Sequence, residues 1–117
     1  MPSSANTSFL RQGDRLPDLV AAFQNSDGQA IDLSTATGVT VHVVPEAGGA
    51  ALINTAGTID APATAGIVRY ALTPTDATAL VAGLYRVEWV VTFAGGKQAT
   101  FPNGPAHDYL LVTARLA

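Results

Sequence analysis

Two histidines, nine carboxylates and a row of aromatic rings are what this 117-residue chain offers to chemistry. His42 and His107 are its two imidazoles. A metal site would need them to converge with carboxylates, and only the His107-Asp108 pair has a neighbouring donor in sequence. His42 alternates with Val41 and Val43, which places it on the solvated face of a strand. His107 sits in a Pro/Gly-containing loop. Both are therefore read as structural or solvent-facing. The carboxylates Asp14, Asp18, Asp27, Asp32, Asp60, Asp76, Asp108, Glu46 and Glu88 fall mostly in turns and at strand ends. Asp is common there because its side chain accepts from nearby backbone N–H groups. "NSDGQAID" fails as a calcium loop, since EF-hand spacing would put the first ligand at Phe23 and the twelfth at Ser34. A calcium site assembled from several turns stays open. Ser3, Ser4, Ser8, Ser26 and Ser34 lie in no G-x-S-x-G elbow and near no histidine. "EAGGA" and "AGGK" lack the strand-to-helix setting of a phosphate loop. No nucleophile–base pair can be named. The expectation is a protein that is not an enzyme, with no catalytic, cofactor-binding or metal residue and no cofactor.

The aromatic row is the remaining candidate. In "GLYRVEWVVTFAGGKQATFPNG" (83–104), Tyr85, Val87, Trp89, Val91 and Phe93 share one face of a strand, because side chains alternate with period two. Arg86, Glu88 and Thr92 occupy the other face, with Val90 breaking its polar pattern. The rings could stack a sugar or a base, or they could be core. Valines between the rings leave no gap for a flat ligand, and each buried ring contributes on the order of 2–3 kcal/mol. The core reading is preferred.

These residues need elements to hold them, and composition sets the frame. A single domain of this length can bury a core without metal or disulfide. Hydrophobic residues make up 48% of the chain and charged ones 13%, which excludes a disordered polyelectrolyte. A net charge of −3 provides no basic patch, so no nucleic-acid partner is expected. There is no cysteine, which removes disulfides, thiolate metal sites and thiol nucleophiles together. No run approaches the roughly 18 apolar residues of a transmembrane helix, so no membrane partner is expected. The opening "MPSSANTSFLRQGD" has neither a cationic nor an apolar region of a secretion signal.

Along the chain, residues 1–8 read as a flexible or partner-ordered arm. Residues 9–117 read as one domain. Period-two runs at 16–23, 38–44, 66–73, 84–94, 98–101 and 109–116, with a broken strand around Gly57, alternate with turn signals such as Asp27-Gly28 and Gly95-Gly96. One short helical turn is expected at 73–83, capped by Thr75 or Asp76. The fold class is all-β: a single antiparallel β-sandwich, immunoglobulin-like, of about seven or eight strands.

The ordered motifs "QGDRLPDL" (12–19), "DGQAIDLSTATGVTVHV" (27–43), "GIVRYALTPTDA" (66–77), "AGLYRVEWVVTF" (82–93), "GGKQATFPN" (95–103) and "YLLV" (109–112) are similar to those of a bacteriophage virion family. That family is the N-terminal domain of the siphophage baseplate upper protein. The resemblance spans nearly all of residues 9–114. It implies a non-catalytic structural protein of a phage particle, in the baseplate or tail, the neck or the head surface. It also implies other virion proteins as partners, a homo-oligomer or multi-copy arrangement, and location in the virion. The alternative expectation is a carbohydrate- or host-surface-binding module.

Overall fold

The computed structural model describes residues 7–25, 27–101 and 108–114. They form two packed sheets with one short helix. The strands are β1 (Thr7–Arg11), β2 (Leu19–Ala22), β3 (Ala36–Pro45), β4 (Ile53–Ala56), β5 (Thr58–Ile59), β6 (Ile67–Tyr70), β7 (Gly83–Phe93), β8 (Gln98–Phe101) and β9 (Asp108–Thr113). The six-stranded sheet has the order β1-β9-β7-β3-β4, with β8 also paired to β7, and the three-stranded sheet has the order β2-β6-β5. The all-β, immunoglobulin-like sandwich expected from the period-two runs is the observed fold. One pairing departs from a purely antiparallel design: β1 runs parallel to β9, from Thr7 opposite Tyr109 to Arg11 opposite Thr113. Strand β1 thus begins inside the segment 1–8 expected to be an arm; residues 1–6 lie outside the described residues.

Alternation explains the layers. In β3, Val39, Val41 and Val43 are buried while Thr40 and His42 point to the outer face. In β7, Tyr85, Val87, Trp89 and Val91 are buried, and Trp89 retains 1% of its surface. Phe93 is half-buried against the same core. Leu10, Leu110 and Val112 complete the inner face of the large sheet, and Leu19, Val68, Tyr70 and Leu72 approach from the small one. Phe23 and Phe101 stack with ring centroids 4.2 Å apart. The aromatic row is core, as its interleaved valines predicted.

Strand β7 is the spine. One edge pairs with β3 along its length. The other pairs with β9 over Gly83–Val87 and with β8 over Trp89–Thr92, so the sheet forks between Val87 and Trp89. The β7–β8 hairpin closes through Gly95 and Gly96, whose φ values of 86° and 82° are open to glycine without a Cβ penalty. Gly57 separates β4 from β5, the break read from sequence. The helical turn is α1 (Pro74–Ala79), and its cap is Thr73 rather than Thr75 or Asp76. Thr73 accepts from the Asp76 N–H while the Asp76 carboxylate accepts from the Thr73 N–H, a reciprocal capping box.

Candidate functional site

The outer face of the large sheet brings two donor side chains together. His42 on β3 lies directly opposite Glu88 on β7, and Asn54 on β4 lies opposite His42 on its other side. Nδ1 of His42 is 4.0 Å from Oε1 of Glu88, with the two side chains 30% and 52% exposed. Strict alternation of β3 around buried valines fixes His42 here, and the register of β3 with β7 supplies Glu88. His42 was expected to face solvent and does, half-buried, but its partner was not foreseen. His107 lies outside the described residues.

Most of the remaining carboxylates are engaged elsewhere. Arg69 on β6 reaches Asp60 at 3.1 Å and Asp18 at 3.4 Å, tying together the outer face of the small sheet. The hydrogen bond to Asp60 leads the effects that hold its guanidinium above the ordinary value. Glu46 pairs with Arg86 at 3.2 Å. The Asp32 carboxylate accepts from the Ser34 N–H at 2.8 Å, and hydrogen bonding from Ser34 holds it below the ordinary carboxylate value. No group of three or more His, Cys, Asp or Glu side chains converges among the described residues.

Sequence reasoning placed Asp76 among the turn carboxylates, whereas it is buried. Its carboxylate accepts from the Tyr70 hydroxyl as well as from the Thr73 N–H. Burial, followed by the hydrogen bond to Asp76, pushes the Tyr70 hydroxyl up to about 12. The Thr-x-x-Asp spacing was the available signal. Tyr85 donates its hydroxyl to the Val81 carbonyl at 2.6 Å, and burial raises its pKa as well.

A second feature is a cleft of about 320 Å³ at the edge of the sandwich. It is bounded by β2 on one side and by Ser8, Asp108 and Tyr109 on the other, with Val87, Trp89 and Phe101 at its base. It exists because the large sheet forks there while the small sheet ends at β2.

No family model matches the chain, and no curated protein matches it. Among solved structures, CopC from Methylosinus trichosporium OB3b is similar, with a TM-score of 0.55 and 11% identity over 99% of this chain and 90% of that one. At this identity the likeness is one of fold. The two chains share a β-sandwich architecture.

This finding corrects the expectations drawn from the motif order. The resemblance to the siphophage baseplate family has no support among family models or curated proteins, and the structural likeness leads to CopC instead. The reading as a phage structural protein and its virion location fall with it. The physical reason is visible in the fold. "GLYRVEW" is the spine strand with its buried face, "DG" is a turn with Gly28 at φ 81°, and "TFP" ends β8 at the ring that stacks on Phe23. Each motif meets a requirement of the sandwich, so together they report architecture and not lineage. The alternative of a carbohydrate-stacking surface loses its basis too, because Tyr85 and Trp89 are inside.

Proposed function

We propose that the chain is a non-enzymatic copper-binding domain that handles Cu(II) as cargo, with His42 and Glu88 as a donor pair. The observation that carries this reading is the His42–Glu88 juxtaposition across β3 and β7, on a fold similar to that of CopC, a copper-binding periplasmic protein. Donor chemistry selects the ion and its oxidation state. The chain has no cysteine and one methionine, so the soft sulfur ligands that favour Cu(I) are scarce. Imidazole nitrogen and carboxylate oxygen suit Cu(II), which sits at the top of the divalent affinity order. A gap of 4.0 Å between the two atoms leaves room for an ion at ligand distances of about 2.0–2.2 Å after small rotamer adjustments. The amide of Asn54, next along the same cross-strand row, adds an oxygen donor on that face. Two exposed protein ligands leave other positions to water, which suits reversible binding. A location outside the cytoplasm belongs to the same reading.

Titration of the protein with Cu(II), followed by calorimetry and by the electron paramagnetic resonance signal, tests it. One saturable site with a nitrogen ligand is expected, weakened at least tenfold in His42→Ala and several-fold in Glu88→Gln. Binding should also fade at acid pH, because an imidazole must be neutral to ligate. Absence of saturable binding, or a loss confined to His107→Ala with His42→Ala unchanged, rules out this site.

A further inference from the structure

His42 on β3 and Glu88 on β7 bring one imidazole and one carboxylate to the outer face of the large sheet. No third His, Cys, Asp or Glu joins them among the described residues. Cu(II) prefers a tetragonal set of nitrogen and oxygen donors, with the strong ones in one plane. A single chain supplies two of them, or three with the neutral amide of Asn54. A two-fold axis completes the set from the same pair used twice, as two imidazoles and two carboxylates. With the axis parallel to β3 and β7, each His42 lies over the partner's Glu88. Like donors then stand trans to one another around the ion.

Charge and surface both favour a second copy as the source of the missing donors. Arg86, two residues before Glu88 on the same face, is matched by Glu46 at 3.2 Å. The Glu88 carboxylate is therefore the excess charge around the pair. Two facing copies bring two such carboxylates together and repel each other, and one Cu(II) cancels both. The same ion on one chain keeps an uncancelled positive charge. The face is also less polar than a solvated one. Val44 follows His42 and Val90 follows Glu88 at the next outward positions, both half-buried. Leu84, beyond Arg86 on β7, is 41% exposed. A copy laid over β3 and β7 shades this apolar surface. We infer that one Cu(II) bridges two copies of this chain across their outer faces, each copy giving His42 and Glu88, an inference that rests on the copper reading above. Copper is then the switch of assembly: the chain is a monomer without it and a dimer with it, and the ion leaves when the faces part.

The test titrates the whole protein with Cu(II) chloride and follows it by analytical ultracentrifugation and electron paramagnetic resonance. The protein should pass from monomer to dimer, with the change complete at half an equivalent of Cu(II) per chain. The spectrum at that point should show two equivalent nitrogen ligands. Excess Cu(II) should return part of the dimer to singly loaded monomer. Val90→Lys keeps both donors but places an unmatched charge between the facing surfaces. It should weaken dimer formation at least tenfold while the monomer still takes up copper through one nitrogen. If that variant fails to fold, the stoichiometry of the unaltered protein decides. A monomer that saturates at one equivalent through His42 overturns the bridge and leaves the copper reading standing. Absence of saturable binding removes the reading and the bridge together. A dimer already present without copper, or a copper-induced one that persists in His42→Ala, also overturns the inference.

Discussion

At the scale of single residues, the buried Asp76 is the most consequential polar group in the fold. Its carboxylate accepts from the Tyr70 hydroxyl and the Thr73 N–H, linking β6, the cap of α1 and the core in one network. Asp76→Ala leaves both donors unsatisfied and removes a charge-assisted bond, so a loss of about 2–3 kcal/mol is expected from urea unfolding. The same network sets a pH dependence. The folded state raises the Tyr70 pKa from 10.0 to about 12, which favours the neutral hydroxyl over its value in the unfolded chain. Its stabilising contribution is therefore complete below pH 10 and is lost as pH rises through the interval from 10 to 12. Unfolding midpoints should fall across that window, and Tyr70→Phe should flatten the fall.

At the scale of elements, the turn before β6 is the most tightly specified joint. Gly66 has φ of 70°, and a Cβ there would lie 2.7 Å from the Ile31 carbonyl oxygen and 2.9 Å from that of Phe23. Both obstacles are backbone, so Gly66→Ala should destabilise by roughly 1–3 kcal/mol and disturb the Phe23–Gly66 hydrogen bond that aligns β2. Thermal melts and the amide shift of Phe23 would report it. Much at this scale was legible in advance. The strict alternation at 38–44 and 84–94 reads directly as β3 and β7, because each strand buries one face and wets the other. Strand β1 was not legible: "TSFLR" sends one large side chain, Leu10, inward, and its partner β9 lies a hundred residues away. The His42–Glu88 pair escaped for a related reason. Alternation shows which face a residue takes, but only the register of β3 against β7 shows which residue it meets. The cleft depends on where β9 stops and β8 starts along β7, which no local pattern encodes. The phage resemblance misled because turn glycines and core aromatics recur wherever this sandwich is built.

At the scale of the whole molecule, the two sheets close on one well-packed core. Trp89 joins the sheets at the centre, with 1% of its surface exposed. Its fluorescence should resist acrylamide in the native state and become quenchable in urea, and efficient native quenching would contradict the packing. The parallel pairing of β1 with β9 has one more consequence, a mechanical one. The chain enters this pair at Thr7, beside Tyr109, and leaves it at Thr113, beside Arg11. Tension applied between the two ends of the chain therefore pulls the strands along their length in opposite directions. Every rung carries load together in shear, instead of opening one at a time as in a pulled hairpin. Stretched by an atomic force microscope, the domain should yield in a single high-force event. Because N–H directions alternate, either Ser8→Pro or Phe9→Pro must remove a rung, and one of them should lower that force. The edge of the sheet would then act as the domain's clamp against tension.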